Sequence, residues 1–200
     1  MNQNHWIRTD ELNEAVLALD VFSEFLEKVL EDVYYWKWSV ITLHNSLQGF
    51  MVCALRGSNG LNVLKDGIAK AWLEALNSGS GNYPIKELDR FLDLYKSIKS
   101  NKMLMFGHSK KFSSKSQQGS SIKSLNRLRN EFIHFTPKHA SYEVSGLPEV
   151  IEDCVAIIEF LAFESNNIIY PDESIEKRIQ ELLISIKSSL SYIKRNYETD

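Results

Sequence analysis

The spacing of the apolar residues constrains this chain most, because they recur at steps of three and four over most of its length. Such spacing places apolar side chains along one side of an α-helix. The first stripe comprises Leu12, Val16, Leu19, Phe22, Leu26, Val29, Leu30 and Val33, and the last comprises Ile175, Ile179, Leu182, Leu183, Ile186, Leu190 and Ile193. No segment alternates convincingly as a strand would. We therefore predict an all-α, up-and-down bundle of about six to seven helices.

A length of 200 residues fits a single domain. We predict a core bundle over residues 9–165 and an amphipathic C-terminal helix over 171–197. Thr9 or Asp10 suits the N-cap of the first helix, while Pro84, Pro148 and Pro171 suit the beginnings of the fourth, sixth and seventh. The second, third and fifth helices are expected at 36–56, 63–76 and about 120–135, with a basic loop at 101–120. The second is apolar on most faces, so we expect it to be central.

Several classes of protein are disfavoured by the composition. No apolar run approaches the roughly 20 residues that span a bilayer, and residues 1–11 contain no apolar leader segment. Cys53 and Cys154 both lie in apolar helical patterns and resemble buried hydrophobic residues more than a disulfide framework. Paired cysteines, a His-x-x-x-His motif and dense acidic clusters are missing from the sequence, so we expect no metal or other cofactor. These observations predict a soluble, cytoplasmic protein that does not bind a membrane.

The distribution of charge indicates a polyanionic partner. The net charge is −3, but residues 94–130 contain no Asp or Glu and hold nine of the 23 basic residues. The rest of the chain carries 14 basic against 26 acidic residues. A concentrated positive charge in an otherwise acidic chain favours binding of a polyanion such as RNA. A solvated loop whose lysines only aid solubility is the alternative.

The basic segment leads into the motif Arg129-Asn130-Glu131-Phe132-Ile133-His134 on the predicted fifth helix. With Arg129 as origin, Asn130 and His134 lie at about 100° and 140° around a helix, on its polar side and one turn apart. Arg129 lies near the apolar boundary, from which its guanidinium can reach the polar side. Arg127 lies on that polar side too and competes with Arg129 for the same role.

These three residue types suit RNA cleavage without a metal, which needs a base for the 2′-OH, an acid for the leaving oxygen and a cation for the phosphate. Histidine titrates near neutral pH and serves as acid or base. Arginine stays charged and matches two phosphate oxygens. Asparagine orients either partner by hydrogen bonding. Arg129, Asn130 and His134 are therefore the candidate catalytic residues.

The motif Arg129-Asn130-x-x-x-His134 resembles the Arg-x(4–6)-His motif of the HEPN superfamily, in which a polar residue often follows the arginine. The resemblance rests on six residues and extends through the helical context to residues 9–165. It implies a helical bundle that dimerises so that two motifs share a cleft, and a metal-independent endoribonuclease, a hydrolase active on RNA. Many such proteins are toxins or anti-phage effectors, which would imply an antitoxin partner or a role in antiviral defence.

Other polar residues are candidates for binding the RNA. One is His44, which sits among polar residues in the otherwise apolar second helix and can instead belong to a core hydrogen-bond network. The others are the basic residues Arg127, Lys110, Lys111, Lys115 and Lys123. A structural alternative for the motif is that His134 lies at the helix C-terminus, where the helix dipole favours it, and that Arg129 forms a surface ion pair. Two alternatives for the whole protein are a non-catalytic HEPN-like module for RNA binding or protein assembly and a nucleotide-binding bundle.

Overall fold

In a computed structural model, residues 6–7, 9–115, 117–134, 137 and 139–198 are described. Over these residues the chain forms seven α-helices and no strand, so the predicted all-α bundle is confirmed. None of these helices is long and apolar enough to cross a membrane. The helices are α1 (Glu11–Leu26), α2 (Tyr35–Leu55), α3 (Asp66–Ser78), α4 (Phe91–Ile98), α5 (Gln118–Ile133), α6 (Leu147–Glu159) and α7 (Glu173–Tyr197).

The helices α1 and α2 form a tight antiparallel hairpin. The side chain of Asp10 caps α1 by accepting a hydrogen bond from the N–H of Asn13 at 2.8 Å. At the closest approach, a Cβ added to Gly49 would lie 2.6 Å from the Cβ of Ala15, so glycine lets the two backbones meet. The hydroxyl of Ser46 donates to the carbonyl of Ala15 at 3.0 Å. As predicted, α2 is central, because it packs against α1, α4, α5 and α6.

The last helix closes the bundle by burying its apolar stripe, which includes Ile179, Ile186 and Ile193. Ion pairs link α7 to its neighbours, with Arg178 bound to Asp20 of α1 and Lys187 2.6 Å from Glu159 of α6. Exposed pairs contribute roughly 0–1 kcal/mol each, so burial of the stripe stabilises this contact more. The side chain of Trp36 donates to the hydroxyl of Tyr197 at 2.8 Å.

The predicted start of the fourth helix at Pro84 is wrong, because α4 begins at Phe91. The preceding residues instead form an extended arm, in which Leu88 makes an antiparallel bridge with Leu64. The N–H of Asp89 donates to the carbonyl of Val63 at 2.8 Å. The indole N–H of Trp72 in α3 donates to the carbonyl of Pro84 in this arm at 2.8 Å. Main-chain pairing with 63–65 thus replaces the hydrogen bonds of the expected helical turns.

The basic loop between α4 and α5 is held in place by residues that follow α6. A single π-helical segment, Phe160–Glu164, ends α6 and is followed by Asn166 in a left-handed conformation with φ of 57°. The side-chain amide of Asn167 donates to the carbonyls of Met103 and Ala54, at 2.8 and 3.0 Å. The N–H of Lys110 donates to the carbonyl of Ser165 at 3.0 Å. The described part of the loop is therefore pinned to the bundle rather than freely solvated.

Candidate functional site

The motif helix α5 ends at Ile133, so His134 is its C-cap and not an internal residue. The N–H of His134 donates to the carbonyl of Asn130 at 3.0 Å, but its φ and ψ of −90° and 102° leave the helical region. The helix was predicted to end near residue 135, which is too late. The nearby Pro137 explains the earlier end, because proline lacks an N–H and disfavours the helical conformation of a preceding residue. Phe135, expected on the buried stripe, lies outside the described residues. The side chain of His134 is exposed.

The guanidinium of Arg129 is half-buried and has no carboxylate within 4.0 Å among the described residues. Its Nη1 donates to the Oδ1 of Asn130 at 3.1 Å. Its Nε is buried, and none of the residues that the structure describes is its hydrogen-bond partner. An uncompensated cation away from bulk water is unfavourable, so this position suits an incoming anion.

Two depressions meet at Arg129, since it lines both of them. The α4–α5 cleft, of about 570 Å³, has polar and apolar surface in similar amounts, and its lining includes His44, Gln48, Arg90, Lys96, Asn126 and Asn130. The α1–α2 groove, of about 800 Å³, is mainly apolar and includes Leu17, Ala18, Val21, Val52, Leu64 and Leu88. Both volumes fall in the range of roughly 300–1,000 Å³ that is usual for ligand sites.

The imidazole of His44 lies in the wall of the α4–α5 cleft and is only 2% exposed. Its Nε2 lies 3.3 Å from the Oδ1 of Asn126, and its ring stacks on Phe91 with 3.9 Å between ring centres. Burial lowers the pKa of His44 to about 4, and the nearby charge of Arg129 acts in the same direction. His44 is therefore neutral at physiological pH and is unsuited to proton transfer there.

The remaining predicted RNA-binding residues lie outside the α4–α5 cleft. Arg127 and all four lysines, Lys110, Lys111, Lys115 and Lys123, are exposed, and none of them lines either depression. The Nζ of Lys111 donates to the Oδ1 of Asn101 at 3.1 Å. The structure thus brings together Arg129, Asn130 and His44, and it leaves Arg127 on the outer surface of α5.

Several cleft residues were missed by the sequence reasoning. Asn126 was detectable in principle, because it lies four residues before Asn130 and so shares its side of α5. Arg90 and the beginning of α4 could not be assigned to the cleft from the sequence, because the fourth helix was expected to begin at Pro84. Within the described residues, no group of three or more His, Cys, Asp and Glu side chains lies close enough to hold a metal ion.

The fold and the cleft define an all-α bundle with a half-buried arginine that has no carboxylate within 4.0 Å among the described residues. No known protein family, curated protein or solved structure matches this chain.

Proposed function

We propose that this protein is a metal-independent, HEPN-type endoribonuclease with Arg129, Asn130 and His134 as its catalytic residues. The observation that carries the proposal is the guanidinium of Arg129, which lies where two depressions meet and has no carboxylate partner among the described residues. A phosphate diester supplies the missing negative charge. The planar guanidinium binds two phosphate oxygens and stabilises the charge that develops during cleavage.

The other two residues follow from their positions relative to Arg129. Asn130 accepts a hydrogen bond from Arg129 at 3.1 Å, so it holds the guanidinium in place. His134 lies one helical turn beyond Asn130, where an exposed imidazole exchanges protons with the 2′-OH or the leaving oxygen. In this proposal Arg129 and Asn130 bind the phosphate from the last turn of α5, and His134, its C-cap, transfers the proton.

A homodimer completes the chemistry in this proposal. Cleavage without a metal needs both a base and an acid, whereas one motif offers a single exposed imidazole. His44 does not fill the second role, because burial lowers its pKa to about 4. A second copy of the chain supplies a second His134. The exposed lysines of the pinned loop and Arg127 then bind the RNA outside the cleft.

The biological setting that we propose is a toxin or anti-phage effector, controlled by an antitoxin partner and acting in the cytoplasm. The support is the motif resemblance together with the concentration of basic residues in 94–130. Growth arrest on expression of the wild type, relieved by His134→Ala, is the expected result. Equal growth of cells expressing either protein contradicts this setting.

The enzymatic proposal is tested with His134→Ala in a cleavage assay containing EDTA. We expect at least a roughly 100-fold loss of RNA cleavage, because general acid–base catalysis contributes about 10²–10⁴. The melting temperature should not change, since the His134 side chain is exposed. His139→Ala is the matched control, as His139 is also exposed and lies outside the motif. A wild-type protein that cuts no RNA refutes the proposal.

A second candidate function is a non-catalytic module that binds RNA. The observation favouring it is that His134 caps α5 and lines neither depression. In that case His134→Ala leaves RNA affinity unchanged, and wild-type protein binds RNA without producing fragments. Measured RNA binding with no cleavage across several RNA substrates distinguishes this function from the first.

A further inference from the structure

The N-terminus of α4 forms part of the wall of the α4–α5 cleft. Arg90 is the N-cap, with an extended backbone and no side-chain capping bond. The N–H groups of Phe91 and Leu92 have no acceptor among the described residues. Free N–H groups at the positive end of a helix dipole favour a phosphate group.

Two carboxamides on α5 present donors to the same cleft. Asn126 and Asn130 are four residues apart and both line it. The Oδ1 of Asn130 accepts from Arg129 at 3.1 Å, and the Oδ1 of Asn126 lies 3.3 Å from the Nε2 of His44. No described residue accepts a hydrogen bond from either NH₂ group, so both remain available as donors.

The orientation of Asn126 is fixed by the buried His44. A carboxamide oxygen only accepts hydrogen bonds, so the Nε2 of His44 carries the hydrogen. The Nδ1 then has a lone pair, and it is buried without a partner among the described residues. The imidazole also stacks on Phe91, the first residue of α4. His44 thus connects the free end of α4 with the amide of Asn126.

The charges around the cleft leave two guanidinium groups available. Asp93 is bound by Lys96 at 2.6 Å, and the Oδ1 of Asp89 accepts from the backbone N–H of Arg90 at 2.9 Å. Among the described residues, neither Arg90 nor Arg129 has a carboxylate within 4.0 Å of its side-chain nitrogens. Both line the cleft. With Lys96, the cleft lining holds three cations against two carboxylates, so an anion meets a net positive charge here.

We propose that the α4–α5 cleft binds a second phosphate of the RNA strand, next to the phosphate held by Arg129. The free N–H groups of α4, the guanidinium of Arg90 and the NH₂ of Asn126 bind it, with His44 as a positioning residue. The identification of the strand as RNA rests on the proposed function. A free phosphate or a mononucleotide offers the same chemistry, so the test must distinguish these sources.

The probe is a short, fluorescently labelled 2′-O-methyl RNA, which binds but is not cleaved because it lacks the 2′-OH. Fluorescence anisotropy gives its Kd across about 50–300 mM KCl. Arg90→Gln should weaken binding and reduce the salt slope by about 0.7, the value for one lost contact to a single-strand phosphate. Asn126→Leu should weaken binding roughly fivefold to tenfold with an unchanged slope, because it removes donors without removing charge.

The matched control is Lys177→Gln, which removes an exposed lysine on α7 outside the cleft. It should leave both the affinity and the salt slope unchanged. His44→Gln keeps a side-chain N–H donor and should bind like the wild type, whereas His44→Leu should bind like Asn126→Leu. In the double variant His44→Leu/Asn126→Leu the losses should not add, because both substitutions disable the same donor.

The side chain of Arg90 is exposed, so Arg90→Gln should fold. The proposal is overturned if this variant changes neither the affinity for the RNA probe nor the salt slope. It is also overturned if the variants weaken binding of inorganic phosphate or AMP but not of the RNA probe, since the cleft then takes a free phosphate. These outcomes differ from failure of the enzymatic proposal. If the wild type binds the probe through Arg90 but cuts no RNA, the enzymatic proposal is refuted and the second phosphate site is supported.

Discussion

Replacing Arg129 by Met should stabilise the free protein while abolishing the proposed RNA cleavage. Among the described residues, the half-buried guanidinium hydrogen-bonds to Asn130 alone, and its buried Nε has no partner. Leaving a fully buried charge unpaired costs roughly 3–5 kcal/mol, so a half-exposed group that keeps one amide partner should cost about 1 kcal/mol. Methionine preserves most of the apolar packing and removes this cost. The melting temperature should therefore rise by about 2–4 °C.

The same substitution removes the cation that we propose binds the scissile phosphate. Loss of one stabilising donor set typically lowers kcat by about 10²–10³, so we expect at least that loss in single-turnover cleavage with EDTA. Lys177→Met is the control, because Lys177 is an exposed cation on α7 that lines neither depression and has no part in the proposed RNA binding. Its stability should change by at most about 0.5 kcal/mol. An Arg129→Met protein that melts lower and still cleaves RNA refutes the reasoning.

Two further predictions concern the fold. Gly49→Ala should lower the free energy of unfolding by about 1–3 kcal/mol, because the new Cβ would lie 2.6 Å from the Cβ of Ala15. Gly67→Ala is the control, because its Cβ would meet nothing within 4 Å and should not destabilise the protein. Equal denaturant midpoints for the two variants contradict this prediction. The low pKa of His44 means that the unfolded chain binds a proton that the folded chain does not, so stability should fall as pH drops from about 6.5 to about 4. The free energy of unfolding should fall by roughly 3 kcal/mol over this pH range in the wild type and not in His44→Gln. Denaturant titrations of both proteins from pH 6.5 to 4 measure it. The same dependence of stability on pH in both proteins contradicts the prediction.

The helical stripes were predictable from the sequence because a helix that buries one face must repeat its apolar residues at steps of three and four. The first predicted stripe ran too far, however, because α1 ends at Leu26 and the side chains of Leu30 and Val33 are exposed. The capping role of Asp10 and the central position of α2 followed from the same local patterns. The extended arm before α4 was not predictable, because Pro84 is compatible with a helix start and with an extended chain alike. The main-chain bridge between Leu64 and Leu88 decides between the two, and it joins residues distant in sequence.

The candidate site was predictable only in part. The pattern placed Arg129 and Asn130 together, but the contact between His44 and Asn126 spans 82 positions and leaves no local signal. The burial that lowers the pKa of His44 likewise depends on the packing of α2 against α4 and α5. The proposed role of Arg90 depends on the start of α4 at Phe91, which the sequence did not predict.

The central claim is metal-independent cleavage through attack of the 2′-OH, and the chemistry of the product ends tests it most directly. RNA incubated with wild-type protein in EDTA should yield fragments with 2′,3′-cyclic phosphate and 5′-hydroxyl ends, identified by mass spectrometry. Arg129→Met and His134→Ala proteins should yield no such fragments. Products with 5′-phosphate and 3′-hydroxyl ends, or intact RNA after incubation with the wild type, contradict the account.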